Sequence, residues 1–209
     1  MTRRILIPII LTALSICQAS SQSTAAVRNV AAAQKHDLCS RFSPGTDLQD
    51  PPSVSSNNGV LRVSLRMQRS PDSNGHLRYC FLDERGNQAP TLRVQQGDTL
   101  IVTLKNEISV PAKPGLRKEF RNHSSRQQDP CTADNMVSFA TNLHFHGLTI
   151  PPVCHQDETL RTTILPGDPP FEYRVQIPRD QPPGLYWYHP HVHGFTEEQV
   201  GWRLRSADR

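Results

Sequence analysis

Apolar and polar residues alternate along much of this chain, and the alternation predicts β-strands with one face in a core. The pattern runs from Leu61 to Met67, from Leu100 to Leu104 and from Phe171 to Ile177. Shorter strands are predicted at 77–82, 91–94, 143–146 and 185–191. Gly, Asn and Pro separate these segments, and few windows have helical spacing. The sequence therefore predicts an all-β sandwich or barrel rather than an α/β fold.

The first residues differ from this pattern and indicate an export signal at 1–19. Arg3 and Arg4 precede an apolar run, Ile5 to Ile16, and small residues follow around Ala19. The run is shorter than the roughly 20 residues that a membrane-spanning helix needs, so cleavage is favoured over a retained anchor. We expect a secreted or periplasmic protein with no membrane association after cleavage. Residues 20–58 lack apolar periodicity and predict an irregular lead-in to a domain at 59–200.

Charge and cysteine content fit an exported protein. The formal charge of +4 falls by two when Arg3 and Arg4 leave with the signal, which gives no pull towards nucleic acid. After Cys17 is removed, four cysteines remain, and in an oxidising compartment they predict two disulfides. Three connectivities are possible. We favour Cys39–Cys80 and Cys131–Cys154 because each would fix a neighbouring irregular segment, while thiolate binding of a metal stays open.

Two histidine pairs carry the candidate chemistry. His144 and His146 lie in LHFHG, and His189 and His191 lie in WYHPHVHG. Residues two apart on a strand leave the same face of the sheet, so each pair points in one direction. Pro190 cannot donate to a strand ladder, which places the second pair at a sheet edge or a strand end. Four convergent imidazoles predict a metal site, for which copper, zinc, iron and nickel are all suitable.

The order of motifs adds a family resemblance. LHFHG, CHQDET, LPGDPPFEYRV and GLYWYHPH, preceded by PTLRVQQGDTLIVTLKN, resemble the N-terminal plastocyanin-like cupredoxin domain of the multicopper oxidases, the laccase and ascorbate oxidase superfamily. The resemblance covers about 59–200. It implies a Greek-key β-sandwich that binds copper, and histidines that supply half of a trinuclear cluster where dioxygen is reduced to water.

The resemblance also implies roles for single residues. His144 matches the type 2 copper ligand, and His146, His189 and His191 match ligands of the type 3 pair. Asp157 lies near the position of an acid that assists proton delivery, although the family usually has Gly next and this chain has Glu158. His193 has no counterpart, so a role beside the ligands or on the surface is favoured over ligation.

The family also has an electron-accepting type 1 copper, and this sequence lacks the motifs of that site. That site uses a cysteine, two histidines and often a methionine. Cys154-His155 is the one Cys-His neighbour in the sequence, and no methionine follows it. Four histidines also make only half of a three-copper cluster. We therefore expect no catalytic residues, no oxidase activity from this chain alone and no basis for naming a substrate.

The end of the chain departs from the family pattern. Residues 201–209 replace the expected turn and final apolar strand, which predicts an aberrant tail, a sandwich lacking its closing strand and a missing C-terminal oxidase portion as partner. Two other hypotheses remain. In one, the chain is a stand-alone cupredoxin-like protein for copper storage or delivery. In the other, it is a structural sandwich with vestigial histidines.

Overall fold

The computed structural model describes residues 38–41, 45–47, 50–110, 112, 129–133 and 136–201. The predicted signal at 1–19, much of the lead-in at 20–58 and the tail beyond residue 201 lie outside these residues. Strands dominate the described part, in the order β1 (Ser53–Ser55), β2 (Val60–Pro71), β3 (Leu77–Leu82), β4 (Thr91–Arg93), β5 (Thr99–Asn106), β6 (His144–His146), β7 (Phe171–Gln176) and β8 (Trp187–His189). A 3-10 turn at Pro130–Thr132 and a short helix, α1 (Thr196–Gly201), complete the elements.

The larger sheet has four strands in the order β3-β2-β5-β7. Its strands β2 and β5 are parallel, and both outer pairs are antiparallel. The alternation predicted from sequence sets its faces, since every second residue of β7 is buried and the others are exposed. Register then places Leu100 beside Leu61 and Val175, so that the apolar residues form continuous rows across the sheet.

Two strand pairs pack against the buried face of this sheet. Strand β1 pairs with β4 in parallel, and β6 pairs with β8 in antiparallel fashion. Each of these four strands contributes an apolar side chain to the central core, namely Val54, Leu92, Phe145 and Tyr188. The arrangement is a β-sandwich, so the predicted all-β class is confirmed. The β6-β8 pair carries three of the four predicted histidine ligands in its strands.

Strand β1 forms within the segment expected to be irregular. Ser53 to Ser55 lie ahead of the Asn57-Asn58-Gly59 turn, where order was predicted to begin, and pair with Thr91 to Arg93. Three residues with one apolar position, Val54, are too few to show a period of two. The partner strand and the core contact of Val54 stabilise this strand, and neither is visible in the local sequence.

Both favoured disulfides are present. Cys39 is bonded to Cys80 of β3, which ties a piece of the lead-in to the larger sheet. Cys131, in the 3-10 turn, is bonded to Cys154, which precedes Asp157 in the loop after β6. All four sulfurs are therefore bonded to each other and not available as thiolates.

Helix α1 was not predicted, because six residues are too short to show helical spacing. Contacts with the sandwich hold it in place. The Tyr79 hydroxyl donates to a Glu198 carboxylate oxygen at 2.9 Å, and Gln199 Nε2 donates to the Ala140 carbonyl at 2.8 Å. Over the ranges that the structure describes, no helix has the length and apolar content to cross a bilayer.

Candidate metal centre

The β6-β8 pair brings the two histidine motifs side by side. His144 pairs with His189, and His146 pairs with Trp187. Between them, Phe145 pairs with Tyr188 and both side chains face the core. The alternation thus sends the histidines away from the core on both strands. Trp187 extends the same face, with its ring stacked on His189 at a centroid distance of 4.0 Å.

All four predicted ligand residues lie together, and we call them the histidine site. The ring centre of His144 is 5.3 Å from that of His146, 5.2 Å from His189 and 5.4 Å from His191. The His189 ring is 5.7 Å from His146 and 6.0 Å from His191. Nitrogen atoms of His144, His146 and His189 all lie within 4.8 Å of one another, a spacing that can hold a metal ion.

Asp157 fixes the orientation of His144. Its two carboxylate oxygens lie 2.9 and 3.0 Å from His144 Nδ1, and one of them also accepts from the Phe145 backbone amide at 2.9 Å. A carboxylate accepts, so Nδ1 of His144 carries the proton and Nε2 keeps its lone pair. Pairing of a ligand histidine with a carboxylate is the usual means of setting the tautomer in metal sites.

His189 is fixed by its own chain. Its Nδ1 lies 2.9 Å from the Pro190 carbonyl oxygen, so Nδ1 donates and Nε2 keeps its lone pair. Nε2 in turn lies 3.5 Å from Nδ1 of His146. Burial lowers the pKa of His189, and the neighbouring rings of His144, His191 and His146 lower it further, against a smaller opposing effect of the Pro190 carbonyl. The neutral form that a metal requires is thereby favoured.

His191 lies just past the end of β8. Its Nδ1 is buried and has no hydrogen-bond partner among the residues that the structure describes. A buried nitrogen without a partner is costly unless something binds it. With lone pairs also on Nε2 of His144 and of His189, the donor set fits a transition metal that prefers imidazole, and copper is such a metal.

The remaining described histidines do not join the histidine site. His155 stacks on Phe171 at 4.6 Å and its Nδ1 lies 2.7 Å from the Glu172 carbonyl oxygen. The backbone amide of His193 lies 2.8 Å from the Met136 sulfur. A second group, Asp129 with Cys131 and Cys154, has metal-like spacing, but its sulfurs form a disulfide and cannot ligate.

Two contacts of the histidine site were missed from sequence. Asn142 is fully buried and its side chain bonds the backbone of His191. The Leu143 amide donates to the Tyr173 hydroxyl at 3.0 Å, which anchors the start of β6 to the larger sheet. Asn142 shares the period of two with His144 and His146, but this pattern does not indicate its contact with His191.

Comparison with known proteins finds similarity to multicopper oxidases. The family model described as multicopper oxidase matches residues 130–203, which include the whole histidine site. Laccase-2 of Thanatephorus cucumeris is 26% identical over 103 residues, a match that covers 49% of this chain and 13% of that laccase.

Among solved structures, a multicopper oxidase from Campylobacter jejuni described as a metallo-oxidase is 24% identical, with a TM-score of 0.48. That match covers 73% of this chain and 26% of the other. A laccase-like multicopper oxidase, CueO, from Ochrobactrum sp. is 23% identical, with a TM-score of 0.45, over 74% of this chain and 28% of the other. The chain thus spans only about a quarter of each of these structures.

Fold and site together define a β-sandwich of the cupredoxin type, with imidazoles that could hold a metal ion gathered at one strand pair. The family-model match over the histidine site and the similarity to a laccase support the multicopper oxidase superfamily. Copper is the metal that this similarity implies.

Proposed function

We propose that this chain supplies one half of a trinuclear copper cluster, with His144 as a type 2 ligand and with His146, His189 and His191 as type 3 ligands. The observation that carries the proposal is the convergence of four imidazoles from two paired strands. Adjacent histidines of one strand are spaced to reach neighbouring metal ions. In this family, such a cluster reduces dioxygen to water when copper is bound.

The residues of the chain prepare the site before metal arrives. Asp157 and the Pro190 carbonyl each hold one Nδ1 proton, so Nε2 of His144 and of His189 face the site as lone-pair donors. Phe145 and Tyr188 fix the two strands in the core. Preorganised ligands of this kind bind metal without an ordering cost.

A complete oxidase needs more than these residues provide. With about three protein ligands wanted for each copper ion, four histidines serve fewer than three ions. A type 1 copper needs a thiolate, and every cysteine in the part of the chain that the structure describes is in a disulfide. We therefore propose that the remaining ligands and the electron-accepting copper come from a C-terminal oxidase portion, and that this chain alone does not oxidise substrates.

We also propose that the protein works outside the cytoplasm, secreted or periplasmic. The two disulfides support this, because structural disulfides persist in oxidising compartments. The predicted signal at 1–19 has the composition expected for export, although it lies outside the described residues.

Copper loading together with oxygen uptake tests the proposal. The purified chain is titrated with copper, passed over a mild chelator, and assayed for oxygen consumption with a phenol or an aromatic diamine. We expect weak copper retention, no thiolate-to-copper absorption band and no oxygen uptake. Substrate-dependent oxygen uptake would contradict the half-cluster.

A second function is favoured by one observation. His144, His146 and His189 offer three nitrogens within 4.8 Å, which is enough for a single ion. Copper retained at about one ion per chain against the same chelator would indicate a stand-alone protein for copper storage or delivery.

A further inference from the structure

The ladder between β6 and β8 does not reach His191. The pairing ends with His144 opposite His189, and Pro190 has no amide hydrogen to continue it. His189 is therefore positioned by its strand, whereas His191 lies two residues beyond the last paired position. Something other than the ladder must fix its backbone if its ring is to face the other three.

The side chain of Asn142 makes the contact that the ladder lacks. Its Oδ1 accepts from the His191 backbone amide at 2.7 Å, and its Nδ2 donates towards the His191 carbonyl oxygen at 3.2 Å. One carboxamide thus bonds both polar groups of His191, as a neighbouring strand would do. Asn142 has no exposed surface, so both bonds are shielded from water.

The same carboxamide links three parts of the site. Nδ2 also lies 3.2 Å from the Thr159 carbonyl and 3.1 Å from the Thr162 carbonyl, in the loop that follows Asp157. Asn142 itself is two residues before His144 in the chain. A shift of this side chain would therefore move His191 relative to both His144 and the loop that carries Asp157.

We propose that Asn142 is the positioning residue for His191, which sets the place of that imidazole in the copper site. The inference rests on the proposed function, because it takes His191 as a copper ligand. Loss of the carboxamide would leave the backbone amide of the half-buried His191 without its partner and free its backbone to move. Copper affinity would fall through the loss of one well-placed ligand.

A matched pair of asparagines separates positioning from general stability. Asn106 is also buried, and its Nδ2 donates to the Phe139 and Ile164 carbonyls while its Oδ1 accepts from the Ile108 amide. The Asn106 carboxamide thus bonds backbone groups as that of Asn142 does, but these groups belong to Phe139, Ile164 and Ile108, outside the histidine motifs. Asn142→Ala and Asn106→Ala should both lower the unfolding temperature, and only Asn142→Ala should weaken copper binding.

The test measures copper affinity by chelator competition in the full chain, for Asn142→Ala, Asn106→Ala, His191→Ala and the Asn142→Ala/His191→Ala double variant. We expect Asn142→Ala to weaken binding by about 10- to 100-fold, as disruption of residues that orient a ligand usually does. The double variant should bind no more weakly than His191→Ala, since both changes remove one contribution. An additive loss, or full affinity in folded Asn142→Ala, would overturn the proposal.

Amide hydrogen exchange of metal-free protein provides a readout that needs no copper. The His191 amide should be protected in the wild type and in Asn106→Ala, and should exchange rapidly in Asn142→Ala. If wild type takes up no copper, the proposed function fails, and this exchange still decides whether Asn142 positions His191. Retained protection in Asn142→Ala would overturn the positioning role. Should that variant not fold, Asn142→Ser, whose short hydroxyl cannot bond both ends of His191, gives the same comparison.

Discussion

Single nitrogen atoms decide what the histidine site can bind. A metal takes the lone pair of a neutral imidazole, so each ring needs its proton on the other nitrogen. His144 has this arrangement because Asp157 accepts from Nδ1, and His189 has it because the Pro190 carbonyl does. The tautomers of these two rings are thus set by the protein and not by the metal.

Replacement of Asp157 tests this at residue scale. Asp157→Ala removes the acceptor for His144 Nδ1 and for the Phe145 amide, so we expect copper affinity to fall by about 10-fold or more. Chelator competition measures the change. Asp168→Ala is the control, because Asp168 likewise accepts from a backbone amide, that of Leu165, and lies outside both histidine motifs. Equal losses in the two variants would show that Asp157 acts through general stability instead.

At the scale of elements, period-two patterning locates the strands well. Each of the seven predicted strand segments overlaps a strand of the structure, from β2 at Val60–Pro71 to β8 at Trp187–His189. The sandwich and the two disulfides also follow from local patterns and cysteine placement. Each of these signals depends on residues close together in the chain, or on a few cysteines.

Features that depend on distant contacts were not predictable. Strand β1 is defined by its partner β4, and helix α1 by contacts of Glu198 and Gln199 with the sandwich. The gathering of the histidines was expected, but the way His191 is held was not. Pro190 indicated where the ladder ends, and no local pattern indicated that Asn142 would take its place.

Asp83, in the turn between β3 and β4, should make the stability of the fold depend on pH. Burial by itself would raise the pKa of Asp83, but bonds from the Asn87 side chain and from the amides of Asn87 and Arg85 outweigh it, and the pKa lies below its ordinary value of 3.8. A depressed carboxyl pKa contributes stability that is present above the ordinary value and is lost as pH falls through the folded value.

We therefore expect wild type and Asp83→Asn to differ most in unfolding temperature near neutral pH and to converge below a pH of about 4. Thermal unfolding followed by circular dichroism across this range measures the difference. The neighbouring exposed Glu84→Gln serves as control and should give a small difference. A constant gap between wild type and Asp83→Asn at every pH would contradict the assigned role of the carboxylate.

At the scale of the whole molecule, the core of the sandwich supports the histidine site from one side. The core residues Phe145 and Tyr188 lie directly behind the histidine-bearing strands, while His146 and Trp187 are exposed on the other side. Exposure on that side leaves room for further ligands from a second polypeptide segment.

The most direct test of the central claim is copper affinity across single histidine variants. His144→Ala, His146→Ala, His189→Ala and His191→Ala each remove one imidazole of the histidine site, and His155→Ala removes one that stacks on Phe171 instead. Chelator competition should show weaker copper binding in all four site variants and wild-type affinity in His155→Ala. Copper affinity that is unchanged in the site variants, or lowered equally in His155→Ala, would contradict a shared copper site at β6 and β8.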